Sequence, residues 1–193
     1  MRAIILAAGS GLRLGQHTKD IPKSLLDING KSILERQISL LREHGVNEIF
    51  VVTGYKREKY VLKDIEYIFN PRYSETEQLA SMMVARTKIS DDVLVIFGDI
   101  VFDGQILQQI LASNDDIAMA IDLNWEKSYN DGLCNSHPLD EPVLINQKKV
   151  LRISYKQTDT MIENQTVGEF LGVIKLSANG SRIIIKKYEE LEK

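Results

Sequence analysis

Apolar runs of strand length alternate along this chain with segments whose apolar residues recur at helical spacing. The first, Arg2–Ala8 (RAIILAA), is continuous enough to sit at the centre of a sheet, with both faces covered. Ser32–Gly45 (SILERQISLLREHG) predicts a helix with Ile33, Leu34, Ile38 and Leu41 on one face and Gly45 as its stop. Glu48–Gly54 predicts a second strand and Arg57–Leu62 a short helix. Ile65–Asn70 predicts a third strand, broken at Asn70-Pro71. A helix over Glu75–Thr87, a central strand over Asp92–Asp99, a helix over Gly104–Asn114 and a strand over Asp116–Asp122 follow. Asn124–Glu141 is rich in turn residues and weakly periodic, and reads as a loop. Pro142–Ser154 reads as a hairpin turning at Gln147-Lys148, Val167–Ser177 as a last strand and Ser181–Lys193 as a closing helix. No internal repeat or linker interrupts the series. The pattern predicts an α/β fold, Rossmann-like and doubly wound. Its sheet is mainly parallel, with helices on both faces and a small antiparallel hairpin region, in a single domain over 1–193.

Composition narrows the class. At 193 residues and 44% apolar content the chain has enough material for one real core. Its 24 basic residues are outnumbered by 27 acidic ones, so no basic excess points to nucleic acid. Cys134 is the only cysteine, which excludes an intrachain disulfide framework and a cysteine-built zinc site and suits a reducing compartment. His17, His44 and His137 are scattered without ligand spacing. The opening apolar run is too short to span a bilayer and lacks a signal-peptide pattern. The expectation is a cytoplasmic protein with neither a membrane nor a nucleic-acid partner.

The loop after the first strand, GSGLRLGQHTKDIPKSLL, carries the candidate chemistry. In open α/β sheets, ligands bind beyond the carboxyl ends of the strands near the switch in strand order. Gly9 and Gly11 permit backbone angles and close approaches that a Cβ would block. Successive N–H groups there can converge on an anion. Arg13 adds a forked donor set and Lys23 a compact charge on a long arm, with Pro22 stiffening the chain before it. The loop is neither a Walker loop nor a dinucleotide fingerprint, because it lacks GxxxxGK[ST] and a third glycine at the right offset. A phosphate cradle and an ordinary solvated loop both remain open on these residues alone.

The stretch LAAGSGLRL…PKSLLDINGKSILERQI resembles the signature of nucleotidyltransferases that activate small phosphorylated compounds with a nucleoside triphosphate. NPRYSETEQLASMMVAR, VLVIFGDIVFD, HPLDEP and GEFLGVIKLS extend the likeness towards the phosphocholine and phosphonate cytidylyltransferases. The resemblance implies CTP as donor and a small phosphate- or phosphonate-bearing acceptor. It implies nucleotide contacts from Leu6, Ala7, Ala8, Gly9, Ser10, Gly11, Arg13 and Lys23, and from Gly98 and Asp99. Glu77, Gln78 and Ser81 are the implied base-reading segment. Asp99, just past a central strand, is the expected Mg2+ ligand, since that ion binds through one or two carboxylates plus phosphate oxygens. Asp103 reads instead as the cap of the next helix. Asp122, Trp125, Tyr129 and Glu169 are candidates for the acceptor side, though each also has a plain structural reading. Relatives of this kind continue past the GEF-type strand into a further acidic metal ligand. The resemblance leaves open whether this chain is cut short, holds that ligand elsewhere, or lacks it.

The sequence offers no Ser–His–Asp or Cys–His set, and the implied chemistry needs none. A phosphate-type acceptor is already anionic near neutral pH, with a second pKa of about 6. Its difficulty is approaching another anion, so alignment and charge neutralisation carry the catalysis, with Arg13 and Lys23 as the candidate catalytic residues. A sugar-1-phosphate nucleotidylyltransferase and a nucleotide-binding domain without turnover are the alternative readings.

Overall fold

Strand β1 (Arg2–Ala7) has Ala3, Ile4 and Ile5 fully buried, as a strand covered on both faces must. The computed structural model describes residues 1–130, 142–153 and 164–192, without the side chains of residues 128–130. A short hairpin, β2 (Asp27–Ile28) with β3 (Lys31–Ser32), follows the first loop and leads into α1 (Ile33–Glu43). Ser32 and Glu35 form a reciprocal capping box that fixes where α1 begins, and Gly45 adopts φ 79° beyond its end. The Ser32 hydroxyl and backbone N–H both donate to the Glu35 carboxylate and hold its pKa below the ordinary value.

The chain then gives β4 (Glu48–Thr53), β5 (Glu66–Phe69), α2 (Gln78–Val84), β6 (Val93–Phe97), α3 (Gly104–Leu111) and β7 (Ile117–Asp122). After these come α4 (Trp125–Asn130), β8 (Pro142–Asn146), β9 (Lys149–Ile153), β10 (Gln165–Leu176) and α5 (Ala178–Leu191). They form two compact units, 1–118 with 172–193, and 119–171.

In the first unit the strand order is β5-β4-β1-β6, all parallel, with the Gly172–Leu176 end of β10 antiparallel to β6. The chain winds outward from β1 through β4 and β5, then returns to add β6 on the other side. The carboxyl ends of β1 and β6 therefore flank the switch point of a doubly wound sheet, the Rossmann-like arrangement expected. One face buries Ile4, Phe50, Val52, Val93 and Val95 against Met82 and Met83 of α2, with Ile184, Ile185 and Tyr188 of α5 packed alongside. By the two-residue period of strands, Ala3, Ile5, Val51, Leu94 and Ile96 face the opposite side, where α1 and α3 bury Leu34, Ile38, Leu41, Leu107 and Ile110. Each fully buried Ile or Leu of this kind contributes roughly 1.5–3 kcal/mol.

In the second unit β8 pairs with the Gln165–Glu169 part of β10 and with β9, both antiparallel. Gln147 takes φ 56° at the hairpin turn, where the sequence placed it.

Two predicted elements need correction. The helix expected over Glu75–Thr87 is confined to Gln78–Val84, followed by a 3-10 turn at Arg86–Lys88. Buried Asn70 is the reason. Its Nδ2 donates to Thr76 Oγ1 and Ser81 Oγ, both at 3.0 Å, and its Oδ1 accepts from Arg72 N, which holds the preceding residues in a loop. The loop expected over Asn124–Glu141 begins instead with α4. There the Asp122 carboxylate accepts from Asn124 N at 2.8 Å and turns the chain into the helix; residues 131–141 lie outside the described set.

Candidate active site at the switch point

Beyond β1 the chain enters a crest, Leu12–Thr18, exposed as far as His17 with Thr18 buried, made of 3-10 turns with a break at Gly15. Gly11 enters it at φ 63°, and a Cβ there would press on Thr18 Cγ2 at 3.1 Å and Lys23 Cβ at 3.2 Å. Glycine is thus required at 11 by the chain itself. At Gly9 the structure corrects the expectation: φ is not positive and a Cβ would meet open space, so only the close approach of a ligand would demand glycine there. The N–H groups of Gly9, Ser10 and Gly11 have no hydrogen-bond partner among the described residues. They remain available to an anion.

The ends of this loop are held from β4 and the segment after it. Tyr55 N donates to Ala8 O at 3.0 Å, and Tyr55 Oη to Lys19 O at 2.6 Å. Buried Tyr60 donates through its hydroxyl to Ala7 O at 2.7 Å. Its single proton is then used, so the 2.9 Å contact with Ser24 Oγ has Ser24 as donor. Burial pushes the Tyr60 phenol up to about 12, against the partial opposing effect of the Ser24 bond. One side chain thus ties the end of β1 to the 3-10 turn Lys23–Leu25. Lys23 emerges from that turn between buried Pro22 and buried Ser24.

The opposite side of the site comes from β6. Gly98 N donates to Leu6 O at 2.8 Å, and a Cβ at Gly98 would strike Leu6 O and Ala7 Cβ within 3.0 Å. Only glycine lets the end of β6 lie this close to β1. Asp99 follows, and Lys23 Nζ meets its Oδ2 at 2.8 Å. These side chains are 33% and 40% exposed, so the pair stabilises the fold by about 1 kcal/mol at most; its significance is placement. The structure thus brings Leu6, Ala7, Ala8, Gly9, Ser10, Gly11, Lys23, Gly98 and Asp99 to one place. Arg13 stands on the exposed crest.

Two residues that the sequence did not single out support this arrangement. Tyr60 carries no local signal, because its importance comes from tertiary partners. Gln37 does carry one: it interrupts the apolar stripe of α1, between Leu34 and Ile38. It is 2% exposed, and its Nε2 donates to Phe97 O at 2.9 Å and Ile100 O at 2.8 Å, on either side of Gly98-Asp99. Its Oε1 is buried without a partner among the described residues, a desolvation cost of about 1–3 kcal/mol.

Glu77 and Gln78 are exposed at the start of α2, while Ser81 is buried and bound to Asn70. Asp103 caps α3, accepting from Gln105 N and Ile106 N at 3.0 Å. The acceptor-side candidates belong to the second unit. Asp122 Oδ1 is engaged by Asn124 N, Trp125 Nε1 donates to Val167 O at 3.1 Å, and half-buried Glu169 lies on β10 opposite Pro142. The side chain of Tyr129 lies outside the described residues.

Among the described residues no cluster of three or more His, Cys, Asp or Glu side chains forms a preformed metal cage. Asp99 nevertheless fits a Mg2+ ion that arrives on phosphate oxygens: it is one accessible carboxylate, with Oδ2 held by Lys23 and Oδ1 unpartnered among the described residues. No helix among these residues is long and apolar enough to cross a membrane.

A doubly wound sheet with N–H donors and a lysine–aspartate pair at its switch point is an anion-binding arrangement at the carboxyl ends of its strands. The chain belongs to the MobA-like NTP transferase domain family, whose model matches residues 3–156. It is 28% identical over its full length to CTP:phosphoglutamine cytidylyltransferase of Campylobacter jejuni, covering 79% of that protein. It is 29% identical to UTP–glucose-1-phosphate uridylyltransferase of Haloferax volcanii over 73% of this chain and 62% of that one. The structure of CTP:phosphocholine cytidylyltransferase from Streptococcus pneumoniae superimposes with a TM-score of 0.65 at 25% identity, over 98% of this chain and 78% of that one.

Proposed function

We propose that this protein transfers a nucleoside monophosphate, CMP from CTP foremost, to the phosphate or phosphonate oxygen of a small molecule, releasing pyrophosphate. The observation that carries this reading is the contact of Lys23 with Asp99 beside the donor-rich turn Gly9–Gly11. The likeness to two CTP-named proteins supports the choice of nucleotide.

In this reading the N–H groups of Gly9, Ser10 and Gly11 and the guanidinium of Arg13 hold the β- and γ-phosphates. Asp99 would hold a Mg2+ ion, whose charge would offset that of the phosphate oxygens. Lys23 turns from Asp99 towards the α-phosphate and meets the charge that develops there. The acceptor oxygen attacks in line, a new P–O bond forms, and the bond to the β-phosphate breaks with its electron pair leaving on pyrophosphate. No residue has to remove a proton from an acceptor that is already anionic. Gly98 contributes by keeping the Asp99 turn close to β1. Asp122, Trp125 and Glu169 remain the proposed acceptor contacts.

The test is a matrix of the four ribonucleoside triphosphates and dTTP against phosphocholine, an aminoalkylphosphonate, a phosphorylated amino-acid amide and glucose-1-phosphate, scored by pyrophosphate release. Turnover with CTP and a phosphate or phosphonate of the first three kinds is expected. Turnover only with UTP or dTTP and the sugar phosphate would replace this reading with the sugar-nucleotide one, which the Haloferax volcanii relative favours. Binding without pyrophosphate release from any pair would leave a nucleotide-binding domain.

A further inference from the structure

We infer that Gln37 is a positioning residue for Asp99, so that the metal–nucleotide affinity of the site is set from within α1. This rests on the proposed role of Asp99. The geometry is specific: one buried amide nitrogen uses its two hydrogens on the carbonyls of Phe97 and Ile100, at 2.9 and 2.8 Å. Those carbonyls bracket Gly98-Asp99, so Gln37 staples the base of the turn that presents the carboxylate. Gly98 N, bound to Leu6 O, holds the same turn to β1. The two carbonyl oxygens fix the orientation of the amide, because the opposite one would set oxygen against oxygen. An apolar side chain of the same length would extend the stripe of Ile33, Leu34, Ile38 and Leu41 but would take the donor away from the Phe97 and Ile100 carbonyls. Glutamine at this position therefore serves the turn more than the helix. Groups that orient a metal ligand from behind typically change metal affinity or activity by about 10–100-fold when removed.

The test uses Gln37→Met and Gln37→Leu, apolar replacements compatible with the stripe, beside wild type and Asp99→Asn. Equilibrium binding of CTP is measured with and without Mn2+, and amide hydrogen exchange is followed over residues 97–101. The proposal expects Gln37→Met to weaken Mn2+-dependent CTP binding about 10–100-fold while leaving metal-free binding within about twofold. Exchange at 98–100 should quicken, with the amides of β1 and β4 unchanged. Equal loss of binding with and without metal, or exchange raised across the whole unit, would reduce Gln37 to a packing residue. Wild-type exchange at 98–100 in both variants would overturn the proposal without any nucleotide. If Mn2+ does not strengthen CTP binding to wild type, the role of Asp99 fails instead, and the exchange data still decide whether Gln37 holds the turn.

Discussion

The site has a floor and a crest, and they are built differently. The floor, Lys23 against Asp99, is fixed by buried groups: Tyr60 ties the lysine's turn to the end of β1, and Gln37 brackets the aspartate's turn. The crest that carries Arg13 is exposed, with Leu12 81% accessible, and is held mainly near its ends by Tyr55 and by Thr18 Oγ1 on Gly11 O. The difference matches the work each has in the proposed reaction. Groups meeting charge at the reacting phosphorus gain most from being set in place beforehand. A grip on the outer phosphates tolerates adjustment as the nucleotide settles.

Lys23→Ala tests that division most severely. Losing one preorganised contact to developing charge typically costs about 10²–10³-fold in kcat, and steady-state pyrophosphate release should show it with the thermal midpoint near wild type. Near-normal turnover would remove Lys23 from the chemistry. Next comes the anchoring of the floor itself. The Tyr60 phenol is raised from 10.0 to about 12, so between those pH values the unfolded chain gives up this proton while the folded chain keeps it. Stability therefore falls as pH rises through that window, by about 2–3 kcal/mol in all. Urea titrations from pH 9 to 12 should show the decline, and Tyr60→Phe should remove this component of it. Arg13→Ala should have the smallest effect: about a tenfold rise in the KM for nucleotide at nearly constant kcat, the value of one charged hydrogen bond. A fall in kcat as large as that of Lys23→Ala would erase the distinction between crest and floor.

The strands that build the sheet were legible because Ala3–Ala8 and Val93–Phe97 are apolar without interruption, a pattern that a two-sided central strand imposes. Lys23 and Asp99 were singled out through the family likeness, Lys23 also by its place in the loop after the first strand and Asp99 by its place just past a central one. What the sequence hid were supports whose partners are remote. The two roles of Tyr60 depend on Ala7 and Ser24, 53 and 36 positions away. Gln37 reaches carbonyls 60 and 63 positions away, although its place in an apolar stripe was a usable clue. The shortened α2 had the same origin, since Asn70 outcompetes local helical preference through contacts that no periodicity records.

The lysine–aspartate contact has one more consequence, for the order in which a resting enzyme of this kind loads. A lone divalent ion at Asp99, in the role proposed for that carboxylate, would sit beside an ammonium of like charge and displace it into solvent. A triphosphate carrying its own cation offers the displaced ammonium a richer set of oxygens in the same move. In the proposed reading the lysine thus balances the carboxylate's charge until nucleotide and metal arrive together, since a bare ion brings no oxygens for that ammonium to bind.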